Sequence, residues 1–310
     1  MDKPTYTADI VGDITRIDER DIVFSRSELI HEYGESSPEC ESYYNRHPEW
    51  REVDLKTNAM SGLGHTAGRD AGMFTAPLDA IESLRFTSSI EPEIVPSPVS
   101  IDPGRAAYKI KQYATFLGAD LVNVGPLRQQ WVYSHEGRVR SGRRGEPIDL
   151  SHHPNAIAMG FRMDYHLLRS APDLPAMVAT AKGYALGAWV SLQMVNYIRS
   201  MGYSAKAHYD ANYQVQCVPV AVDCGMGELS RAGFLLTKIL GLGLRLAVIT
   251  TNMPLIHDKP VDIGVQSFCE TCRICAEVCP IGAIPKGSKI PVNGVKRWKL
   301  DMEDDPRWHH

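Results

Sequence analysis

The most restrictive feature of the chain is a run of four cysteines within eleven residues near its C-terminal end. The run is Cys269-Glu-Thr-Cys272-Arg-Ile-Cys275-Ala-Glu-Val-Cys279-Pro280, with the spacing C-x2-C-x2-C-x3-C-P. Cysteines this close together are poorly placed to form disulfides with one another. In this spacing the first three thiolates can bind three irons of one [4Fe–4S] cube, and the fourth, before proline, is directed towards a second cube. We therefore predict that all four are iron ligands; the alternative, a zinc knot, prefers paired CxxC units.

The fourth ligand of the first cube is harder to find. In a two-cluster arrangement a second run of cysteines donates it back, and no cysteine follows Cys279 in the sequence. Asp305 or a terminal histidine could substitute weakly, although a shortened chain is the simpler explanation. We expect the module to be incomplete and to retain iron poorly.

The charge and hydropathy patterns argue against nucleic-acid binding and against a membrane span. The 310 residues carry a net charge of −4, with 23% charged residues, so no broad basic surface for phosphate binding is indicated. A membrane-spanning helix needs roughly 20 consecutive apolar residues. The longest apolar stretch, around 233–256, is broken by Lys238, Arg245 and Pro254.

The composition and residue patterns along the sequence suggest three regions. Residues 1–100 are rich in proline, glycine and charge, and we expect them to wrap the outside of a core as long loops and short helices. Residues 101–260 carry the periodic segments of that core. Residues 261–310, in which cysteines, small residues and turns predominate, form the cluster module.

Within the core, helical and strand patterns are mixed, which indicates an α/β (α+β) fold. Asp102 and Pro103 are typical of a helix start, and Gly118 ends that helix. The regular apolar spacing over 174–201 predicts a long packed helix. β-branched and apolar segments predict four strands, at 119–124, 157–163, 216–222 and 244–250. A glycine-containing turn and a short helix are expected between the last two strands.

Several short motifs lie in a fixed order around and before the cysteine run. The C-terminal half contains Glu228-Leu-Ser-Arg231-Ala-Gly-Phe-Leu-Leu-Thr237, Leu244-Arg245-Leu246, Thr251-Asn-Met-Pro254-Leu, Asp258-Lys-Pro260 and Phe268-Cys269-Glu-Thr-Cys272. The N-terminal half contains Asp18-Glu-Arg-Asp21, Val23-Phe24-Ser25-Arg26, Phe116-Leu-Gly-Ala-Asp-Leu121 and Trp131-Val-Tyr133-Ser134. In order and spacing these motifs resemble the reductive dehalogenases over nearly the whole chain.

The resemblance implies a nitroreductase-like core that holds a base-off corrinoid, followed by a ferredoxin-like domain with two [4Fe–4S] clusters. It also implies the reduction of an organohalide. Reductive cleavage of a carbon–halogen bond needs a strong, low-potential reductant, which Co(I) in a corrinoid supplies while the clusters replenish its electrons. The sequence contains no DxHxxG motif, in agreement with a corrinoid that has no histidine from the protein on its lower face.

By resemblance, Tyr184 is the proton donor, Arg245 is the cation that stabilises its phenolate, and Asn212 is a polar residue of the substrate pocket. Each residue has a simpler structural alternative. Tyr184 falls near the apolar stripe of a helix and could be a packed core residue. Arg245 could lie on a solvated strand face or pair with a carboxylate, and Asn212 could simply make a turn.

The resemblance assigns a further set of residues to the corrinoid pocket. Gly225-Met-Gly227-Glu228 lacks a full GxGxxG signature and is weak evidence alone, but in the family it would bring backbone amides to the macrocycle or its nucleotide tail. The residues assigned to cofactor binding are Gly225, Gly227, Glu228, Ser230, Arg231 and Thr250. We expect Cys217 and Cys224 to be buried thiols near this pocket, and the histidines, among them His152, His153 and His208, to be surface or core residues.

Two other functions remain open. An epoxyqueuosine reductase would share the corrinoid core but needs a basic face to bind tRNA, and the composition of this acidic chain does not indicate one. A non-catalytic iron–sulfur electron carrier would explain the missing second cysteine run. The expected partners are an organohalide, an external low-potential electron donor and a small membrane anchor protein, without nucleic acid. The first twenty residues show no leader pattern, and we expect an exported, membrane-associated protein whose leader has been removed, with a cytoplasmic protein as the alternative.

Overall fold

The computed structural model describes residues 1–60, 72–84, 87–171, 173–210, 212–279 and 282–300. The helices are α1 (Val23–Tyr33), α2 (Pro38–Tyr44), α3 (Pro48–Met60), α4 (Gly72–Glu82), α5 (Thr87–Ile90), α6 (Pro103–Phe116), α7 (Tyr165–Leu168), α8 (Leu174–Ser200), α9 (Cys217–Asp223), α10 (Val265–Cys272) and α11 (Ile274–Val278). The strands are β1 (Leu121–Pro126), β2 (Asn155–Arg162), β3 (Ala205–His208), β4 (Glu228–Leu229), β5 (Leu235–Leu236), β6 (Leu244–Thr251), β7 (Ile290–Val292) and β8 (Val295–Arg297).

A four-stranded sheet forms the centre of the molecule, and the fold is α+β. Its strand order is β1-β2-β6-β3, and every neighbouring pair is antiparallel. The two central strands are apolar or small along most of their length, and residues 156–161 of β2 are buried throughout. A strand buried on both faces needs this composition because neither set of alternate side chains reaches water.

The two faces of the sheet carry different layers. Because side chains alternate along a strand, Ala247 and Ile249 of β6 pack on the face covered by α8, and Leu244 and Val248 pack on the face covered by α9. The same alternation assigns Arg245 to the α8 face and Thr250 to the α9 face.

Helix α8 confirms the long helix predicted from apolar spacing. Its 27 residues extend from Leu174, with Pro175 in the first turn, to Ser200, and Gly202 follows with a φ of 82°. Two glycines let the helix approach the sheet closely. A Cβ atom at Gly187 would lie 3.3 Å from Ala247 Cβ.

Helix α6 is also confirmed, with its predicted start. The Asp102 side chain accepts a hydrogen bond from Arg105 N at 2.8 Å, and Pro103 occupies the first helical position. The predicted strands near 119–124, 157–163 and 244–250 correspond to β1, β2 and β6, and their ends differ by at most two residues.

The prediction of a strand at 216–222 is wrong. This segment forms α9, in which Val220, Ala221 and Val222 pack on the sheet. β-branched residues favour strands only weakly, and burial against the sheet outweighs that preference. Pro219 in this segment indicates a helix rather than a strand. Proline has no N–H to donate to a neighbouring strand inside a sheet, but it is tolerated in the first turn of a helix.

The short helix expected before β6 is also wrong. The described structure there is a two-stranded hairpin of β4 and β5, closed by Gly233 with a φ of 80° and a hydrogen bond from Gly233 N to Ser230 O at 3.0 Å. The left-handed conformation at Gly233 is one that glycine adopts without strain.

The described residues of the N-terminal region form short helices and loops against this core. Helices α1 to α3 share a small apolar cluster around Leu29, Cys40 and Tyr44. Closer to the N-terminus, the Tyr6 hydroxyl donates to Asp223 of α9 at 2.8 Å. Among the described helices, none is long and apolar enough to cross a membrane.

Candidate active site

Tyr184 of α8 and Arg245 of β6 face each other between the helix and the sheet. The guanidinium carbon of Arg245 lies 5.1 Å from the centre of the Tyr184 ring, a cation–π arrangement. Arg245 Nη2 also donates to Thr180 Oγ1 at 3.0 Å, one helical turn before Tyr184. Arg245 Nε is buried and has no hydrogen-bond partner in the described part of the chain. The arginine is thus held beside the phenol, and its buried Nε–H is not used by the described residues.

The electrostatic surroundings keep the Tyr184 phenol protonated at neutral pH. Burial raises its pKa above the ordinary value of 10, the Arg245 cation opposes this shift, and Asp210 adds to it. Burial therefore keeps the part-buried phenol protonated, and the adjacent cation stabilises the charge that appears when the proton leaves. A general acid works best with a pKa near the operating pH, so the Arg245 cation favours proton transfer and burial opposes it.

A second tyrosine stands in the same electrostatic environment. Burial raises the pKa of Tyr213 well above its ordinary value, and Tyr184, Cys217 and Asp210 raise it further. The chain near Tyr213 also lies beside the Trp131 segment, since Tyr133 N donates to Gln214 O at 2.9 Å. Sequence reasoning did not select Tyr213 as a site residue, although it follows Asn212 directly.

Tyr133 and Arg138 belong to the same group of buried and charged side chains around Tyr184 and Tyr213. Burial raises the pKa of the Tyr133 phenol, and Glu19 and Cys217 raise it further. Arg138 pairs with Glu28 at 3.1 Å and with Glu19 at 3.8 Å. Tyr133 occurs in a motif used for the resemblance, whereas no local pattern in the sequence distinguishes Arg138.

The structure assigns Asn212 a turn. Its backbone N–H donates to Tyr209 O at 2.9 Å, and its side-chain Nδ2 donates to Ala207 O at 2.8 Å. The side chain therefore closes the loop that follows β3, as the structural alternative supposed. A role in substrate binding stays a prediction.

Thr250 lies apart from the tyrosine and arginine. It is on the opposite face of β6 from Arg245, and its hydroxyl contacts His153 Nδ1 at 2.9 Å and His208 Nε2 at 3.0 Å. Both imidazoles are fully buried core residues. The Thr250 hydroxyl therefore already has hydrogen-bond partners within the protein.

The glycine turn is packed tightly against backbone. A Cβ atom at Gly225, whose φ is +78°, would lie 2.2 Å from Lys259 O. A Cβ atom at Gly227 would lie 2.2 Å from Leu236 O. These contacts alone require glycine at both positions.

Glu228 offers one point at which a corrinoid would fit. The side chain is fully buried, Oε2 accepts hydrogen bonds from Ile263 N and Val265 N, and Oε1 has no partner among the described residues. Corrinoids carry amide side chains whose N–H groups could satisfy such an acceptor. Ser230, by contrast, bonds within its own hairpin to Phe234 O at 2.9 Å. The corrinoid contacts of this segment stay predictions.

The cysteine segment folds as two short helices joined by a sharp turn. Helix α10 ends at Cys272, Arg273 adopts a left-handed conformation with a φ of 53°, and α11 begins at Ile274. Burial raises the pKa of Cys275; Cys269 and Cys272 also raise it, and Arg231 lowers it. The turn thus brings the first three thiols within electrostatic reach of one another.

The assignment of the four cysteines to an iron–sulfur cluster stays a prediction. No three described Cys, His, Asp or Glu side chains converge on one metal position, and no disulfide joins the cysteines. In a four-iron cube each thiolate binds a different iron, so its ligands stand farther apart than the ligands of one ion. Pro280, Asp305 and the terminal histidines lie outside the described residues.

Comparison with known proteins finds reductive dehalogenases, although no family model matches the chain. It is 34% identical over 217 residues to a tetrachloroethene reductive dehalogenase of Sulfurospirillum multivorans, covering 62% of this chain and 43% of the relative. The structure of the catabolic reductive dehalogenase NpRdhA with 3-bromo-4-hydroxybenzoic acid has a TM-score of 0.78 at 27% identity, covering 99% of this chain and 41% of that one. A reductive dehalogenase structure that suggests a mechanism for B12-dependent dehalogenation has a TM-score of 0.77 at 27% identity, covering 99% and 40%. The chain therefore spans less than half the length of each of these proteins.

Proposed function

We propose that this chain, a relative of the reductive dehalogenases in sequence and fold, is the halogen-removing part of an oxidoreductase that acts on an organohalide. The reaction consumes two electrons and one proton and releases a halide, with hydrogen replacing halogen on carbon. The observation that carries the proposal is the contact of Arg245 with Tyr184, at 5.1 Å from guanidinium carbon to ring centre. It supports the proposal because it places a cation beside the proposed proton donor, where it stabilises the phenolate that proton transfer leaves.

Two cofactors are part of the proposal. A corrinoid, when bound, supplies the low-potential electrons that cleave the carbon–halogen bond. Its proposed contacts are Gly225, Gly227, Glu228, Ser230, Arg231 and Thr250. Glu228 offers the unpaired buried acceptor, whereas the side chains of Ser230, Arg231 and Thr250 already form hydrogen bonds within the protein and support the proposal least. Iron–sulfur clusters, for which Cys269, Cys272, Cys275 and Cys279 are the proposed ligands, pass electrons inward from an external low-potential donor.

The side chains have separate tasks. The Tyr184 hydroxyl donates its proton to the carbon that loses the halogen. Arg245 stabilises the resulting phenolate and is itself oriented by Thr180. Asn212 is proposed as a polar contact of the substrate, through the part of its amide that the turn does not use. Tyr184 then takes a proton from solvent before the next turnover.

The test is halide release from the chain reconstituted anaerobically with corrinoid, iron and sulfide, with reduced viologen as electron donor. Tyr184→Phe should lose activity by a factor of roughly 10²–10⁴, the usual contribution of a general acid. Arg245→Gln should lose less, and Arg245→Lys should recover part of the loss. Full activity of Tyr184→Phe would exclude Tyr184 as the donor.

The same preparation separates the alternatives. Iron without corrinoid binding, and no halide release, would favour the electron carrier. Reduction of an epoxyqueuosine-containing tRNA stem-loop would favour the epoxyqueuosine reductase. We further propose export and attachment to the outer face of the cytoplasmic membrane through a small anchor protein. Recovery of the native protein in the soluble cytoplasmic fraction after cell fractionation would contradict that location.

A further inference from the structure

Arg231 is a cation buried in the interior of the protein. It is the largest fully buried side chain among the described residues, with 1% of its surface exposed. Its Nε and Nη2 donate to Cys269 O at 2.9 and 2.7 Å, and its Nη1 donates to Pro285 O and Gly287 O at 2.7 and 2.8 Å. The guanidinium also stacks on the Trp298 ring at 4.6 Å.

The hydrogen-bond partners of this cation among the described residues are all neutral. No carboxylate in the described part of the chain forms an ion pair with Arg231. Glu228, on the same hairpin, instead directs Oε2 to the amides of Ile263 and Val265. Arginine stays charged in proteins, and a buried charge without a counter-charge costs several kcal/mol even when its hydrogen bonds are satisfied.

The hydrogen bonds of Arg231 lie on both sides of the cysteine run. Two of them go to the carbonyl of Cys269, the first cysteine of the run, and the other two go to the carbonyls of residues 285 and 287, just beyond the run. Cysteines bind metal as thiolates, so loading of this segment creates negative charge beside the guanidinium. The other two arginines that are buried in the described part of the chain each have a carboxylate within ion-pair distance, Asp54 for Arg26 and Glu91 for Arg199.

We propose that Arg231 is a positioning residue that fixes the cysteine segment and supplies the counter-charge for its cluster-bound thiolates. Reduction adds a negative charge to the cluster, and a nearby buried cation favours that state. Arg231 therefore raises the reduction potential of the cluster and stabilises the loaded protein more than the iron-free protein. The inference rests on the cluster of the proposed function, but not on dehalogenation itself.

The first experiment is an EPR-monitored redox titration of the full chain after anaerobic reconstitution with iron and sulfide. For Arg231→Gln, the ratio of reduced to oxidised cluster at the wild-type midpoint should fall at least tenfold, which corresponds to about 59 mV for one electron. Arg231→Lys keeps the charge and should stay closer to wild type. Arg231→Met provides a second neutral variant if the glutamine variant does not fold.

A matched control separates the loss of this arginine from the loss of any buried arginine. Arg199 is also buried and donates to backbone carbonyls, those of Pro92 and Ala205, but it lies 3.9 Å from the Glu91 carboxylate and none of its described bonds reaches the cysteine segment. Arg199→Gln should leave the midpoint unchanged. An unchanged midpoint in both neutral Arg231 variants would overturn the proposal.

The second experiment compares denaturant unfolding of iron-free and loaded protein. Arg231→Gln should destabilise the loaded protein more than the iron-free protein, because only the loaded protein has lost a charge pair. Equal destabilisation would make Arg231 a simple structural support and overturn the inference. If wild type takes up no iron and sulfide, the cluster and this inference fall together. Cluster loading without halide release would contradict only the proposed dehalogenation.

Discussion

Gly183 of α8 lies directly against Arg245 of β6. A Cβ atom added to this glycine would stand 2.9 Å from Arg245 Cγ and 3.1 Å from Arg245 Cβ. The absence of a side chain at position 183 therefore lets the arginine stem pass beneath the helix and bring its guanidinium to Tyr184, the next residue along. The close packing of the helix on the sheet at Gly183 therefore also positions the Arg245 guanidinium beside the phenol.

Gly183→Ala should damage the site more than the fold. The added methyl group must displace the Arg245 stem or the helix, which costs roughly 1–3 kcal/mol of stability. Halide release should fall more than this loss of stability explains, because the guanidinium leaves the ring. Lys182→Ala, on the exposed side of the same helix, is the control. Activity equal to wild type in a folded Gly183→Ala variant would show that the close approach is not required.

The ion pair of Arg26 with Asp54 should stabilise the N-terminal helices. Arg26 Nε lies 2.6 Å from Asp54 Oδ2, both side chains are nearly inaccessible, and the guanidinium stacks on Trp50 at 4.5 Å. Removal of one partner from a buried pair typically costs about 3–5 kcal/mol. Arg26→Ala should therefore lower the free energy of unfolding, as measured in urea, by an amount of that order.

The control for that prediction is Arg51→Ala. Arg51 pairs with Glu41 in the same helical region, but both groups are exposed. Water and salt screen exposed pairs, so the loss of this pair should change the free energy of unfolding far less than the loss of the buried pair. A similar loss of stability in the two variants would show that burial does not distinguish the pairs.

The buried histidines should make the protein sensitive to acid. His153 lies between Ser204 Oγ at 2.7 Å and Thr250 Oγ1 at 2.9 Å, and burial lowers its pKa to about 3. Burial also lowers the pKa of His208 well below 6.5. The unfolded chain therefore binds more protons than the folded chain below pH 6.5, and stability is lost as the pH falls from there towards 3.

Each histidine contributes about 1.4 kcal/mol per pH unit to this dependence. The measurement is urea unfolding at a series of pH values. His153→Gln, which removes one of these buried imidazoles, should reduce the slope below pH 6 by about that amount. An unchanged slope would mean that His153 is protonated in the folded protein.

The parts of the fold that the sequence predicts are those with local signals. Helix α6 follows from a capping residue and a proline at its start, and α8 follows from apolar spacing. The failure at α9 has the opposite cause, because its valines carry a strand preference that packing on the sheet overrides.

The candidate site also has parts that a local sequence pattern predicts and parts that it does not. The cysteine run is a local pattern, whereas the pairing of Tyr184 with Arg245 joins residues 61 positions apart and was suggested only by resemblance. The contacts of Arg231 with residues 38 to 56 positions away were not foreseen at all. No periodicity or spacing rule relates such residues, since their partners are chosen by the tertiary fold.

Glu19 should give the protein a pH dependence of the opposite sign from that of the histidines. Its side chain is fully buried, Oε2 accepts from Gly137 N at 2.6 Å, and Oε1 has no hydrogen-bond partner among the described residues. Burial raises its pKa from 4.5 to about 7, against the influence of Gly137 and of Arg138. A carboxyl group with a raised pKa binds a proton more readily in the folded state, so its contribution is complete below pH 4.5 and is lost as the pH rises through 7.

Glu19→Gln removes this ionisation while leaving an oxygen that can accept from Gly137. The variant should therefore gain stability relative to wild type as the pH rises from 4.5 to 7, by up to about 3 kcal/mol at about 1.4 kcal/mol per pH unit. The comparison of the two proteins at each pH cancels the contribution of the histidines, which both share. A difference in unfolding free energy that stays constant from pH 4.5 to pH 8 would show that Glu19 is already ionised in the folded protein and that Arg138 at 3.8 Å compensates its burial.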